Sequence, residues 1–389
     1  SNNQLGFDLF CIDIPDLLYT DFVYSNEDTK RFLAFQIATL DWVLKLTVKP
    51  DIMHVHDHHT GLIPFMMSYS FKYATLKNIP TVLTIHNAQY QGWFPHAHGN
   101  LIPPFNYEKT GLLDWDGSIN SLAAAIKCAW SVTTVSPTYM EELKLKANGL
   151  EALLHHESKK CKGILNGIDW NVWNPETDER LLKNYSKTTV ISGKKANKKW
   201  LCKEFNLDIE KPLFIFIGRL VGEKGADLFP EIFKKALTEN KISILLLGSG
   251  CAETETELAA LPKENFNTFI GYDEKLAHIM YAGADFLLMP SRVEPCGLNQ
   301  MYSLRYGTVP IVNAIGGLKD TIIDIEKTAG FGIVHDGVTL GKVTSAITKA
   351  TNYYYEKEFK KNLKKIMSID YSWNNSAAAY VHLYESLKH

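Results

Sequence analysis

Short apolar runs rich in β-branched and aromatic residues alternate along the chain with helical patterns, and most of the runs end in small or polar residues. This alternation predicts βαβ units and parallel sheets. The first series of predicted strands covers residues 7–13, 50–57, 81–87, 131–136 and 162–167. The second series covers residues 212–220, 242–249, 267–272, 285–291 and 309–316.

A polar, lysine-rich stretch separates the two series and predicts a connector between two domains. We expect two facing, doubly wound, Rossmann-like α/β domains, because the chain is too long for one ordinary core. The predicted ranges are 1–175 for the first domain, 176–199 for the connector and 200–370 for the second domain. The first strand-like run begins within seven residues of Ser1, so we expect the first domain to lack an N-terminal βα unit.

Composition restricts the possible functions. A hydrophobic content of 46% and a charged content of 22% fit a soluble globular protein. The net charge of −2 gives no electrostatic reason to expect nucleic acid or an anionic membrane as a partner. No apolar run approaches the length of a membrane span, and no signal peptide opens the chain. The scattered cysteines form no CxxC pair, which favours reduced thiols and a cytoplasmic location.

Two strand-to-helix turns follow one another between Met289 and Thr321. In the first turn a carboxylate, Glu294, precedes Pro295-Cys296-Gly297, and in the second a predicted strand ends in Gly316-Gly317. Backbone N–H groups at helix N-termini attract anions, and glycine lets the main chain approach a ligand closely. A carboxylate accepts hydrogen bonds from sugar hydroxyls. The two turns therefore predict a site for a sugar and a phosphate.

Two cations follow the first strand of the second series. Arg219 ends that strand, and Lys224 stands five residues later in a turn flanked by glycines. Fixed cations at this position would stabilise the negative charge on a departing diphosphate. The alternative is that both are surface cations in salt bridges. The order of residues is not that of a Walker A loop.

The run His54-Val55-His56-Asp57-His58-His59 has two interpretations. It nearly matches the HxHxDH pattern of zinc hydrolases, with the Asp one place early. We favour the alternative, in which His54 and His56 pack on a strand and His59 opens a helix at the cleft, where it binds a sugar. No Asp-x-Asp stands at a strand end to hold Mg²⁺, so we expect a transfer without metal.

Three further positions leave alternatives open. Gly248-Ser249-Gly250 resembles the start of a dinucleotide fingerprint, but Glu253 occupies its third glycine position, so NAD is disfavoured. Tyr272 either stacks on a base or packs half-buried at its strand end. Cys296 has no histidine near it in sequence, so we expect a packing role rather than a nucleophile.

The ordered motifs of the chain resemble those of the bacterial glycogen synthase and plant starch synthase family, retaining glycosyltransferases with two Rossmann-like domains (the GT-B fold). The motifs are HDHHTGLIP (56–64), TIHNAQYQG (84–92), VSPTYMEEL (135–143), GILNGIDWNVWNPETD (163–178), GRLVGEKGAD (218–227), IGYDE (270–274), SRVEPCGLNQMYSLRYGTVPIV (291–312) and GGLKDTI (316–322). Residues 371–389 resemble the family's last helix, which crosses back onto the first domain.

The resemblance implies transfer of glucose from ADP-glucose to the non-reducing end of an α-1,4-glucan with retention, and without a cofactor. Arg219 and Lys224 would hold the diphosphate, Glu294 would contact the donor glucose, and His59 would contact the sugar. The other residues with an implied donor-binding role are Asn166, Tyr272, Cys296, Gly297, Leu298, Asn299, Gly316 and Gly317. The implied acceptor-side residues are His86, Asn87 and Tyr90.

The chain departs from the family pattern at several positions. Asn299 stands where the family usually has Thr or a similar polar residue. Tyr302 replaces the second acid of the related E-x7-E signature, as is common in this family. The family's N-terminal Lys-x-Gly-Gly-Leu loop is absent from the sequence, since Gly316–Leu318 is the only Gly-Gly-Leu. We therefore expect this chain to bind nucleotide but to be slow or inactive.

The sequence leaves rival functions open. One is a related GT-B transferase that uses a UDP- or GDP-sugar. Another is a non-catalytic glucan-binding or regulatory relative. A glycogen phosphorylase is disfavoured, because nothing marks a pyridoxal-phosphate lysine.

Overall fold

The computed structural model describes residues 6–21, 24–25 and 28–388, and within them the chain forms two compact α/β units. The first unit comprises the chain up to Val135, Met140–Ile164 and the residues from Ala379 onward. The second unit comprises Ser136–Tyr139 and Leu165–Ala378. Residue 389, the last of the predicted C-terminal helix, lies outside the described residues.

The first unit is built on a four-stranded parallel sheet. The strands of the whole unit are Met53–His56 (β1), Thr81–Ile85 (β2), Trp93–Phe94 (β3), Asp114–Trp115 (β4), Ser118–Asn120 (β5), Ser131–Thr134 (β6) and Cys161–Gly163 (β7). The parallel sheet has the order β1-β2-β6-β7, with Val55 opposite Leu83 and Leu83 opposite Val132. A small antiparallel sheet, β3-β5-β4, lies in the connection between β2 and β6.

Helices cover the parallel strands of the first unit. Those before residue 165 are Pro15–Leu18 (α1), Asp28–Lys45 (α2), Ile63–Tyr69 (α3), Ser121–Cys128 (α4), Pro137–Leu145 (α5) and Glu151–His156 (α6). The side chain of Asn120 accepts the backbone N–H of Ala123 and caps α4, whose apolar face is buried. The C-terminal helix is Trp373–Ser386, and its residues from Ala379 onward also belong to this unit.

The second unit is built on a six-stranded parallel sheet. Its strands are Leu213–Ile217 (β8), Ser243–Gly248 (β9), Phe266–Ile270 (β10), Phe286–Met289 (β11), Val309–Asn313 (β12) and Ile333–His335 (β13). Their order is β10-β9-β8-β11-β12-β13. The central strands are continuous apolar runs because helices bury both faces of the sheet.

The helices of the second unit pack on both faces of its sheet. They are Val190–Glu204 (α7), Phe229–Glu239 (α8), Ala252–Ala259 (α9), Glu274–Gly283 (α10), Asn299–Arg305 (α11), Gly316–Thr321 (α12), Leu340–Tyr354 (α13) and Lys357–Ile366 (α14), followed by Trp373–Ser386 (α15). Short 3₁₀ turns at Gly222–Lys224 and Ala226–Leu228 lead into α8. None of the helices in the described ranges is long and apolar enough to cross a membrane.

The predicted strands are confirmed except at the N-terminus. Residues 7–13 form no strand: this segment is irregular up to α1, and Phe7 and Phe10 are 58% and 57% exposed. A strand needs a neighbour to accept its backbone hydrogen bonds, and none pairs with this segment in the described part of the sheet. The prediction also missed β13 and the small antiparallel sheet, whose strands are too short to give a clear pattern.

The second half of the predicted connector is not an exposed linker. Residues from Val190 onward form α7, which packs against α10 in the second unit. Lys194 and Lys198 on this helix are only 5% and 6% exposed. Lys198 pairs with Asp285 at 2.8 Å. Some of the lysines in this stretch are therefore buried on the face of α7 that packs against the rest of the second unit.

Lys194 is held entirely by neutral groups. Its ammonium donates to the hydroxyl of Thr308 at 2.7 Å and to the carbonyls of Tyr281, Ala282 and Tyr306 at 3.2–3.3 Å. Burial lowers the pKa of Lys194 to about 7. Its contribution to folding therefore rests on hydrogen bonds rather than on an ion pair.

We expect Lys194→Met to destabilise the second unit. The substitution removes the donor from a buried set of carbonyl acceptors, and leaving such groups unpaired costs about 1–3 kcal/mol. Urea unfolding at neutral pH would measure this loss. Lys195→Met, on the exposed side of the same helix, is the matched control and should change stability by less than about 0.5 kcal/mol. Equal stability of the two variants would contradict the assignment.

Candidate active site

The strand order of the second unit reverses between β8 and β11. From β8 the chain continues outward through β9 and β10, then returns to the other side of β8 as β11. Ligands of open α/β sheets bind outside the carboxyl ends of the strands at such a reversal. Arg219 follows β8 by two residues, and Glu294 follows β11 by five. The topology thus places the predicted cation and carboxylate at the same edge.

Lys224 and Glu294 form a direct ion pair at this edge. The Nζ atom of Lys224 lies 2.6 Å from Oε2 of Glu294, and the Ser291 hydroxyl donates to the same oxygen at 2.9 Å. Glu294 is 7% exposed, so the pair is shielded from water on the carboxylate side. The interaction fixes both side chains, because each would be costly to bury alone.

Arg219 is far less constrained than Lys224. Its side chain is 65% exposed, and its ion pair with Glu223 has an N–O distance of 3.6 Å. An exposed pair of this kind contributes little free energy. The guanidinium is therefore accessible to an anionic ligand at the strand reversal.

Two glycines let the second predicted turn pack against the first. A Cβ atom on Gly316 would lie 2.0 Å from the carbonyl oxygen of Glu294, and one on Gly317 would lie 2.1 Å from that of Cys296. The N–H of Gly317 donates to the Glu294 carbonyl at 3.1 Å. Their closest described neighbour is therefore the loop that carries Glu294. Any larger residue would push the two turns apart.

Cys296 is a buried, neutral thiol. Burial raises its pKa to about 12, and a hydrogen bond from the backbone of Asn166 opposes this only in part. A thiol with such a pKa is not a nucleophile at neutral pH. The expected packing role of Cys296 is thus supported. The same hydrogen bond places Asn166 beside the loop that carries Glu294.

Three of the remaining donor-side residues lie around the start of α11, and Tyr272 follows β10. The side-chain amide of Asn299 donates to the carbonyl of Ile217 at 2.7 Å, which ties α11 to the end of β8. Gly297 has a φ of +70°, and Leu298 immediately precedes the helix. Tyr272, two residues after β10, is 85% exposed. The half-buried packing alternative for Tyr272 is therefore wrong.

Within the first unit, Asp57 joins the loops that follow β1 and β2. Its carboxylate accepts the N–H of His86 at 2.7 Å and that of Asn87 at 3.5 Å. Asp57 itself has a φ of +52°, in a region that costs a non-glycine residue about 1–3 kcal/mol. This strained residue thereby fixes His86 and Asn87 at the carboxyl end of β2.

Three imidazoles form a row beside these loops. Nδ1 of His56 lies 3.0 Å from Nε2 of His86, and the rings of His54 and His56 stack at 4.4 Å. His54 also bonds to the hydroxyls of Tyr384 and Thr84, each at 2.6 Å. Burial first, and then the neighbouring His56 and His86, lower the pKa of His54 to about 3. Burial also lowers the pKa of His56, so the imidazoles of His54 and His56 are neutral at neutral pH.

The contacts of the row do not favour zinc. Among the described residues, no group of three or more His, Cys, Asp or Glu side chains is arranged to hold a metal ion. The nitrogens of His54 are instead occupied by hydroxyl groups.

His59 and Tyr90 contribute an aromatic surface to the first unit. The His59 ring stacks on His58 at 3.9 Å and meets the edge of Phe32 at 4.7 Å. Tyr90 is 47% exposed, and its ring lies 6.3 Å from that of Tyr24. Burial lowers the pKa of His59, which keeps its ring neutral near pH 7. Neutral imidazole and exposed aromatic rings suit binding of a sugar.

Four polar residues that arrange these sites were not predicted from the sequence. Ser291 bonds to Glu294, Asp57 holds the His86 loop, and Arg292 pairs with Asp227. Ser291 ends the predicted strand at residue 291, which was a usable signal. The partners of the others are distant in sequence, so no local pattern could reveal them.

Known families match most of the chain. The model of the starch synthase catalytic domain matches residues 1–156, and the model of glycosyl transferases group 1 matches residues 190–349. The chain is 49% identical to a glycogen synthase from Flavobacterium johnsoniae, over 99% of this chain and 82% of that protein. It is 39% identical to a glycogen synthase from Treponema denticola, over 97% and 81% of the two chains.

Solved structures agree with these sequence matches. The catalytic domain of starch synthase IV from Arabidopsis thaliana, bound to ADP and acarbose, superposes with a TM-score of 0.85 at 32% identity, over 95% of this chain and 79% of that one. A sucrose-phosphate synthase from Thermosynechococcus elongatus reaches a TM-score of 0.61 at 17% identity, over 94% and 80%, which supports the fold alone. The predicted GT-B fold is confirmed.

We expect the histidine row to make the first unit sensitive to acid. The folded state keeps His54 neutral, whereas the unfolded imidazole binds a proton below its ordinary pKa of 6.5. The contribution of His54 to the free energy of unfolding is therefore fully present above pH 6.5. It is lost as the pH falls toward 3, by up to about 1.4 kcal/mol per pH unit for one proton. Urea unfolding between pH 7 and pH 4 measures this slope.

His54→Gln should reduce that slope, because glutamine does not titrate. His156→Gln is the matched control, since His156 is exposed on α6 and has no partner in the row. Its pH dependence should follow that of the unsubstituted protein. Parallel curves for all three proteins would refute the role of His54.

Proposed function

The chain belongs to the family of bacterial glycogen synthases and plant starch synthases, and we propose that ADP-glucose is the donor of the glucose it transfers. It is a glycosyltransferase of glycogen or starch synthesis. The proposed acceptor is the non-reducing 4-OH end of an α-1,4-glucan, and the α configuration is retained.

The arrangement of Arg219, Lys224 and Glu294 carries this proposal. An exposed guanidinium and a lysine paired with a buried carboxylate lie at the strand reversal of the second unit. Such an edge is where a nucleotide binds in a doubly wound sheet. Two cations match a diphosphate, and a carboxylate matches the hydroxyls of glucose. The related starch synthase IV was solved with ADP and acarbose, which represent these two ligand classes.

In the proposed reaction, the acceptor attacks the face of the sugar from which the diphosphate leaves. The bond between the anomeric carbon and the diphosphate oxygen breaks as the bond to the acceptor O4 forms. The proton of the 4-OH passes to the departing phosphate oxygen. No enzymic nucleophile is needed, in agreement with the raised pKa of the Cys296 thiol. Arg219 and Lys224 stabilise the charge that develops on the leaving group.

Other residues have proposed roles in binding. The exposed ring of Tyr272 stacks on the adenine base. Asn166, the amides of residues 296–298 and Asn299 surround the donor sugar and phosphates, and Gly316-Gly317 brings the backbone close to them. This transfer needs no metal ion in our proposal, because the two side-chain cations supply the positive charge.

The first unit has a proposed role in binding the acceptor. His86 and Tyr90 are exposed beside the carboxyl end of β2, and Asp57 fixes the loop that carries His86 and Asn87. His59 binds a sugar hydroxyl through its neutral imidazole. Cytoplasmic location remains a prediction from the cysteine pattern.

A donor panel tests the proposed function. Glycogen is incubated with the protein and with ADP-, UDP- or GDP-[¹⁴C]glucose, and label in the polymer is counted. We expect the highest kcat/KM with ADP-glucose. Preference for UDP- or GDP-glucose would overturn the donor assignment. Co-sedimentation with glycogen but no transfer from any donor, even after a Lys-x-Gly-Gly-Leu loop is added, would favour a glucan-binding protein instead. The same assay tests whether a chain without a Lys-x-Gly-Gly-Leu motif is slow.

Lys224→Ala should lower kcat with ADP-glucose by roughly 100-fold or more. Loss of one preorganised group that stabilises transition-state charge costs about 3–4 kcal/mol, and the variant also leaves Glu294 buried without its cation. Lys234→Ala, which removes an exposed lysine from α8, is the matched control and should leave kcat unchanged. A loss smaller than about tenfold would show that Lys224 does not stabilise the leaving group.

A further inference from the structure

The turn that carries Lys224 is attached to the segment that carries Glu294 by Arg292. The guanidinium of Arg292 donates from Nη1 to the carbonyl of Gly222 at 2.6 Å. It also makes a two-point ion pair with Asp227, at 2.5 Å from Nη1 to Oδ1 and 2.9 Å from Nη2 to Oδ2. The backbone N–H of Arg292 donates to the carbonyl of Glu223 at 2.7 Å. One residue thus bonds to the beginning, middle and end of the turn 222–227.

The internal bonds of the turn do not set its position in the site. The backbone N–H of Lys224 donates to the carbonyl of Val221 at 2.9 Å, and that of Gly225 donates to the carbonyl of Gly222 at 3.0 Å. These bonds fix only the local shape of the turn. Gly225 has a φ of +73°, and a Cβ atom there would lie 2.6 Å from the carbonyl oxygen of Pro290. The turn therefore rests directly on the segment that follows β11, where Arg292 holds it.

This clamp is better suited to orienting the turn than to stabilising the fold. The side chains of Arg292 and Asp227 are 37% and 48% exposed, and exposed ion pairs contribute little free energy. The two-point geometry nevertheless restricts orientation strongly. Glu223, whose carbonyl Arg292 holds, is also the partner of Arg219.

Arg292 does not present a spare charge to a ligand. Its terminal nitrogens are both engaged by the turn, and Asp227 offsets its charge. The hydrogen bond from Arg292 lowers the pKa of the Asp227 carboxyl, so the pair stays ionised at neutral pH. An effect of Arg292 on a phosphate ligand must therefore pass through the residues of the turn.

We propose that Arg292, paired with Asp227, is a positioning residue that holds Lys224 in place for the leaving diphosphate. The inference rests on the proposed function, because it assigns Lys224 to the diphosphate. It adds that the distance between Lys224 and the ligand is set by a bridge from the segment of Glu294. The turn that carries Lys224 and the segment that carries Glu294 are then held at a fixed distance from each other.

A double-mutant cycle tests this proposal through kcat with ADP-glucose and glycogen. Arg292→Ala should lower kcat by about tenfold or more, with a smaller change in the KM for ADP-glucose. In the Lys224→Ala background the same substitution should lower kcat by less than about twofold, because its effect passes through Lys224. Full and independent losses in the two backgrounds would overturn the proposal.

Arg292→Lys separates geometry from charge. Lysine keeps the positive charge but cannot make the two-point pair with Asp227, so kcat should remain lowered by at least about fivefold. Activity equal to that of the unsubstituted protein would overturn the positioning role. Arg180→Ala is the matched control, since Arg180 and Glu274 form an ion pair of similar exposure, 39% and 49%. It should leave kcat and the thermal unfolding midpoint unchanged, and Arg292→Ala should leave that midpoint unchanged as well.

ADP binding distinguishes failure of this proposal from failure of the proposed function. Calorimetry on the same four proteins of the cycle gives the ADP affinity without any transfer. Absence of glucose transfer by the unsubstituted protein, both as it stands and with a Lys-x-Gly-Gly-Leu loop added, would refute the proposed function. Even then, non-additive losses of ADP affinity for Arg292→Ala and Lys224→Ala would support the clamp, and additive losses would overturn it.

Discussion

The ion pair between Lys224 and Glu294 joins the loops that follow two neighbouring strands, and the proposed donor site depends on it. Its 2.6 Å contact requires β8 and β11 to be adjacent, although β9 and β10 separate them in sequence. It also requires the Glu294 loop to be firmly supported, which the close approach of Gly316 and Gly317 provides. The strand order, the packing of the two glycines and the position of Lys224 therefore all determine where the carboxylate of Glu294 lies.

The parallel sheets could be predicted from the sequence because burial leaves a local mark. A strand covered on both faces is a continuous apolar run, such as Leu213–Ile217, and its period does not depend on distant residues. Residues 7–13 are also rich in apolar side chains but lack a pairing partner in the described structure, so composition alone misled the prediction. The lysines of α7 misled it in the opposite direction. Their burial depends on carbonyls and Asp285 from elsewhere in the second unit.

The same distinction applies to the candidate sites. Arg219, Glu294 and His86 follow strand ends, and parallel topology brings such positions to one edge of each sheet. Their placement could therefore be predicted once the strands were known. Asp57 and Arg292 act through partners about 30 and 65 positions away, and a single sequence carries no signal for such pairs. The residues proposed to bind ligands were thus easier to predict than those that orient them.

Tyr302 occupies the position that the second acid of the E-x7-E signature holds in related transferases. Its ring stacks on Trp173 at 3.6 Å, and Trp173 stacks in turn on the buried His278 at 4.0 Å. The Oδ2 atom of Asp178 lies 2.7 Å from Nδ1 of His278, and this hydrogen bond holds the imidazole in place. Each aromatic pair contributes about 0.5–1.5 kcal/mol beyond burial, whereas an acid at position 302 would lose hydration among these rings. This position therefore serves packing, and the ionic contacts of the two predicted cations at the strand reversal are the pairs Lys224–Glu294 and Arg219–Glu223.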